Sequence, residues 1–143
     1  MKYNNYFCFV LLTLFLFSCA DQDKKTIAQK QPVRYGMVTG LKSEKAAYYR
    51  DLHAKTWEGV LKKIKECNIQ NYSIYEQEIE GKLYLFSYYE YVGDDYEADM
   101  KRIAADPVTQ SWWKETDPCQ DPLPEAKAKK QIWHPMKEVF HTN

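Results

Sequence analysis

Residues 68–91 read NIQNYSIYEQEIEGKLYLFSYYEY, and this stretch decides the fold. Asn68 to Gln77 is rich in Ile and Tyr, Lys82 to Tyr91 carries the strongest β signal in the chain, and Glu80-Gly81 offers a short turn between them. A hairpin follows. Alternation along its first strand sends Asn71 and Tyr72 to opposite faces, with Tyr75 opposite Tyr72.

Working outward, Val33 to Thr39 (VRYGMVT) is short and β-branched, with Val33, Tyr35 and Met37 on one side of the pleat, and it ends at Gly40. From Glu44 to Glu66 no Pro intervenes, and Tyr49, Leu52, His53, Thr56, Trp57, Val60 and Ile64 recur at spacings of three and four. One long amphipathic helix is expected there. Beyond the hairpin, Asp94 or Asp95 can cap a helix over Tyr96 to Ala105 with Met100 and Ile103 inward. Asp106-Pro107 stops it and starts a short helix carrying Trp112 and Trp113. Asp117 to Pro124 holds three Pro and reads as a loop, Glu125 to Lys130 is polar, and Ile132 to His141 offers a closing strand that Pro135 confines to an edge. The order β-α-β-β-α-β is the ferredoxin-like plan of an α+β domain, an antiparallel sheet with helices on one face. Its other face needs a cover, either a ligand pocket or a second subunit, so a homodimer is expected.

The N-terminus stands apart. Tyr6 to Phe17 is an apolar run behind Lys2, shorter than the roughly 17 to 25 residues of a spanning helix, and residues 1–18 read as a signal peptide. Leu16-Phe17-Ser18-Cys19 resembles the lipobox of bacterial lipoproteins, which makes Cys19 the lipidated residue; an ordinary secretory signal containing a Cys is the alternative. Residues 19–32 form a polar tether too poor in apolar side chains to offset the entropy of ordering them, and residues 33–143 form the domain, folded from Val33 to about His141. The chain is then exported and lipid-anchored to a bacterial membrane, on the periplasmic side or the cell surface, with no other membrane attachment. Of four Cys, Cys67 and Cys119 remain after processing, and spacing allows a bridge or two thiols equally.

Composition excludes several classes. Twenty Lys plus Arg balance twenty Asp plus Glu, so no basic surplus points to nucleic acid. Five Gly leave no GxGxxG, GxSxG or Walker pattern, and no CxxC or His-rich spacing suggests a metal. Twelve Tyr, six Phe and four Trp exceed what one small core requires, and some of these rings can line a cleft.

Three groups could carry chemistry. Tyr49 and His53 lie one helical turn apart, projecting a phenol and an imidazole together, with Trp57 a turn further along. A positioned His can exchange protons with a sugar hydroxyl or ring oxygen; a hydrogen-bonded core His is the other reading. Trp112 and Trp113, about 100° apart on a helix, cannot share one core layer, and an indole is a platform for a pyranose face or, equally, a packing or dimer contact. Tyr72 is the third, against packing as its plain role.

Taken together, Tyr49-Arg50-Asp51-Leu52-His53 with Trp57, Asn71-Tyr72-Ser73-Ile74-Tyr75, Asp106-Pro107 through Trp112-Trp113-Lys114, and Met136 to His141 resemble the L-rhamnose mutarotase family over nearly all of residues 33–141. The resemblance implies a dimeric α/β-barrel of ferredoxin-like subunits that interconverts the α and β anomers of a free 6-deoxyhexose such as L-rhamnose, without metal or organic cofactor. It implies that His53 is the proton-donating catalytic residue with Tyr49 as its partner, and that Tyr49, Tyr72, Trp112 and Trp113 bind the monosaccharide. The signal segment and tether, the Pro-rich stretch Asp117 to Pro124 and the residues directly around His53 depart from that family. A non-catalytic sugar-binding lipoprotein on the same fold is the alternative.

Overall fold

The computed structural model of the protein describes residues 31–142; the expected signal peptide, Cys19 and the tether up to residue 30 lie outside them. The elements in chain order are β1 (Val33–Leu41), α1 (Ala46–Ala54), α2 (Glu58–Glu66), β2 (Ile69–Ile79), β3 (Lys82–Tyr91), α3 (Tyr96–Ala105), α4 (Pro107–Thr116), β4 (Gln120–Asp121), α5 (Pro124–Ala128) and β5 (His134–Met136).

The hairpin forms as read. β2 and β3 close at Ile79↔Lys82 around Glu80 (φ 51°) and Gly81 (φ 74°), the successive left-handed residues that a two-residue hairpin turn requires. β1 pairs with the other edge of β3, antiparallel from Val33↔Tyr91 to Leu41↔Leu83. The sheet order β2-β3-β1-β4, with β5 also on β1, is that of the ferredoxin-like α+β plan.

Two expectations are corrected. The stretch Glu44 to Glu66 is two helices, not one. After Ala54 the chain leaves the helix: Lys55 N–H bonds back only three residues to Leu52 O, the Thr56 hydroxyl donates to His53 O, and Trp57 turns extended. Thr56 thus satisfies a carbonyl that helix continuation would have used, a competition typical of short polar side chains. The closing strand is also not a single run over Ile132 to His141. Its place beside β1 is shared by β4, opposite Gly40-Leu41, and by β5, opposite Gly36 to Val38. Part of the presumed loop Asp117 to Pro124 is therefore sheet. Gly40 permits this, because a Cβ there would lie 2.4 Å from Asp121 O. The Ala126 region within the polar stretch forms α5, with Ala126 fully buried.

Side chains alternate strictly on β3. Leu83, Leu85, Ser87, Tyr89 and Tyr91 face the helices, whereas Tyr84, Phe86, Tyr88 and Glu90 face away. The core divides into two clusters. Leu41, Ala46, Tyr49, Leu85 and Cys119 form one, and Cys67, Ile69, Tyr89, Tyr91 and Ile103 the other. The two cysteines sit in different clusters as buried free thiols, which decides between the two readings of their spacing. Both helix starts anticipated at acidic residues are made: Asp95 accepts from Ala98 N–H, and Asp106 from Thr109 N–H ahead of Pro107.

Candidate active site

A cavity of about 880 Å³ opens between the inner sheet face and α1, α2, α3 and α4, walled by members of both core clusters. Such a volume is within the range of small-molecule sites. Tyr49, His53, Tyr72, Trp112 and Trp113, the five residues read from the sequence, all line it.

Each is placed by a local device. Tyr49 and His53 lie on consecutive turns of α1, ring centroids 4.1 Å apart. His53 Nδ1 is 2.9 Å from Tyr49 O. A carbonyl can only accept, so Nδ1 carries the hydrogen, and in the neutral ring the basic lone pair is on Nε2. Trp112, buried, meets His53 edge-on at 5.2 Å and Trp57 at 5.3 Å, packing against the imidazole. Trp113, next along α4, is 36% exposed and leaves the core layer that holds Trp112. Tyr72 owes its place to a β-bulge. Between Gln70↔Glu90 and Ser73↔Tyr88, Asn71 and Tyr72 together oppose Tyr89, with Asn71 at φ 50°. The bulge swings Tyr72 onto Tyr89 (5.4 Å), while Tyr75 stays on the outer face, 64% exposed.

Burial sets the proton chemistry. It lowers the His53 pKa below its ordinary 6.5, outweighing the hydrogen bond to Tyr49 O, so the ring is neutral at pH 7. It raises the Tyr49 phenol far above 10, and Tyr49 remains a protonated donor. Tyr72 is 43% exposed, yet the protein packed around it pushes its phenol up to about 12. Arg50 and Glu76, both on the cavity wall, form a two-armed ion pair joining α1 to β2, with Nε to Oε2 at 3.0 Å.

Sequence reading missed Gln120, Asp117, Thr116, Glu76 and Trp133 in the wall. Glu76 was legible, since it lies two strand steps of two beyond Tyr72. Gln120 and Asp117 sat in the stretch taken for loop. Among the described residues, no group of three or more His, Cys, Asp or Glu could hold a metal ion.

Residues 34–142 match the L-rhamnose mutarotase family model. The chain belongs to that family. It is 30% identical over 109 residues, covering 76% of this chain and 97% of the relative, to an L-rhamnose mutarotase of Lactiplantibacillus plantarum. With an L-rhamnose mutarotase of Shouchella clausii it shares 24% over the same length. The crystal structure of an L-rhamnose mutarotase from Formosa agariphila superposes with a TM-score of 0.58 at 20% identity, covering 78% of this chain and 99% of that one, a likeness of fold. Membership in the L-rhamnose mutarotase family supports a sugar mutarotase activity, carried out by an isomerase-type enzyme.

Proposed function

We propose that this mutarotase interconverts the α and β anomers of a free 6-deoxyhexose of the L-rhamnose type, with His53 as the proton-transfer group. The observation that carries the reading is the His53 ring itself: tautomer fixed by Tyr49 O, resting form neutral, in the wall of an aromatic cavity. Anomer exchange moves one proton from the anomeric oxygen to the ring oxygen while the C1–O5 bond breaks; rotation about C1–C2 and closure reverse it. Both oxygens are bonded to C1. One basic nitrogen beside them can therefore take the proton from the first and hand it to the second, acting as acceptor and donor in turn. Tyr49, held protonated, supplies a hydrogen bond to an oxygen that gains charge, and Tyr72 and Trp113 hold the sugar. Since only a proton and one C–O bond change, these side chains suffice without a cofactor.

Magnetisation transfer between the anomeric protons of L-rhamnose, corrected for the uncatalysed rate, tests this. Accelerated exchange by the wild type and its loss in His53→Ala is the expected result. Unchanged exchange in the variant removes His53 from the mechanism, and sugar binding without acceleration would select a non-catalytic binding protein.

The assembly we propose is a homodimer through the outer sheet face, where Tyr75, Ile79 and Met136 are 64%, 45% and 41% exposed. Anchoring through an acylated Cys19 after export is proposed from the sequence alone.

A further inference from the structure

The segment Asp117 to Gln120 places a partly buried carboxyl and an incompletely satisfied buried amide in the wall of the cavity. Gln120 is 4% exposed and starts β4; its Nε2 lies 3.4 Å from the Tyr49 hydroxyl, and its Oε1 has no hydrogen-bond partner. Reversing the amide would let Oε1 accept from Tyr49 and leave Nε2 open instead, so in either orientation one amide atom is unsatisfied. Asp117 caps the end of α4, one turn beyond Trp113, and lines both the main cavity and a smaller neighbouring one that Trp113 also borders. Tyr49 borders the same main cavity, and its hydroxyl is the group that the Gln120 amide touches. Lys114 borders the smaller cavity together with Asp117, whereas Lys42 donates to Pro118 O and Lys127 pairs with Asp121. Burial alone raises the Asp117 carboxyl, with no opposing hydrogen bond or ion pair.

An unsatisfied buried polar atom such as Gln120 Oε1 is rare in native proteins and costly unless a ligand completes it, and the partly buried Asp117 carboxyl borders the same space. The residues around this pair limit what that ligand is. Trp113 and Tyr72 provide flat apolar surface, and Asp117 provides an acceptor that only a donor can satisfy. We infer that Asp117 and Gln120 read the hydroxyl pattern of the sugar, binding hydroxyls other than the anomeric one while His53 and Tyr49 attend to C1. The inference rests on the mutarotase reading for its ligand class. It assigns the choice among sugars to the Pro-rich stretch that the sequence marked as a departure from the family. A site built this way discriminates by leaving its own groups unpaired when a hydroxyl is missing or misdirected, which penalises the wrong sugar more than a lost apolar contact does.

The experiment measures binding and exchange separately on the full chain. L-rhamnose and its 2-, 3- and 4-deoxy analogues are titrated into wild type, Asp117→Asn, Asp117→Ala and Gln120→Met by calorimetry, and anomer exchange is followed on the same samples. At least one deoxy analogue is expected to bind wild type 10- to 100-fold more weakly than L-rhamnose. That penalty should shrink to under threefold in Asp117→Ala or Gln120→Met, because the partner of the missing hydroxyl is already gone. Equal penalties in wild type and variants overturn the assignment, as does L-rhamnose binding that neither variant weakens. The wild-type analogue series needs no variant to fold, and a flat series overturns the assignment by itself. Failure of the mutarotase reading looks different: the deoxy pattern is present in binding but no exchange is accelerated.

Discussion

His53 Nδ1 and the main-chain oxygen of Tyr49 are 2.9 Å apart across one turn of α1, and this contact fixes which nitrogen of the imidazole is chemically available. Protonating the ring costs more here than in water because burial disfavours the cation. The neutral ring is the form that accepts a proton at Nε2. The kcat/KM for anomer exchange should therefore fall as pH drops, through an inflection below 6.5, and be flat above it. Of the other ionisable groups around the cavity, Tyr49, Tyr72 and Tyr89 stay protonated, Arg50 is held charged by its pair with Glu76, and Asp117 can add an acidic inflection. A profile that instead rises toward acid would mean that imidazolium is the reactive form.

Tyr49 is predicted to assist rather than to carry the proton. Its phenol is too weak an acid to ionise, so Tyr49→Phe removes one hydrogen bond and keeps the ring that packs, tilted, against His53. Exchange should slow by about 10-fold, consistent with a hydrogen bond of about 1.5 kcal/mol. His53→Gln should lose the whole acceleration, within the roughly 10²- to 10⁴-fold typical of positioned acid–base groups. If Tyr49→Phe matched His53→Gln, the phenol would belong in the proton path.

Trp112 and Trp113 should separate by what they break. Trp112, 6% exposed and wedged between His53 and Trp57, supports the catalytic ring, so Trp112→Ala should lower kcat and cost about 3–5 kcal/mol of stability in urea denaturation. Trp113, 36% exposed, lies on the cavity wall outside the core. Trp113→Ala should raise KM with stability within about 0.5 kcal/mol of wild type.

How far the sequence carried this reading depends on the kind of signal each residue gave. Periodicity located the hairpin, the helix stripe and the Tyr49–His53 pair, because a spacing of two or four is a direct consequence of backbone geometry. It could not show the break at Thr56, where one hydroxyl competes for His53 O, since that depends on a single hydrogen bond with no periodic trace. Tyr72 was found as a residue but not as a bulge: Asn71 at φ 50° is an allowed local choice that only pairing with Tyr89 reveals. Gln120 was missed because a two-residue strand among three Pro has no pattern, and its pairing partner Leu41 lies some eighty positions away in the sequence.

The anchor makes a separate prediction. Expressed with its full N-terminus in a bacterium that processes lipoproteins, the chain should incorporate labelled palmitate and partition into the membrane fraction. Cys19→Ala should abolish both while the purified domain keeps its activity. Label retained in that variant would place the modification elsewhere.

The acid limit of stability should trace to Asp99, which is 5% exposed and accepts from Asn68 Nδ2 at 2.7 Å and from the Tyr91 hydroxyl at 2.8 Å, with Arg102 3.2 Å away. Those hydrogen bonds hold its carboxyl below the ordinary carboxylate range, so the folded state binds a proton less readily than the unfolded chain does. The resulting stability is fully present above the unfolded value near 3.9 and is lost as pH falls through the lower folded one. Tyr91 acts in the opposite sense. Burial and Asp99 push its phenol up to about 12, giving stability that holds below about 10 and is lost as pH rises through that higher value. Asp99→Asn should lower stability at pH 7 and flatten the pH dependence of the urea midpoint below pH 4. A variant with the same acid slope as wild type would show that some other carboxylate sets the limit.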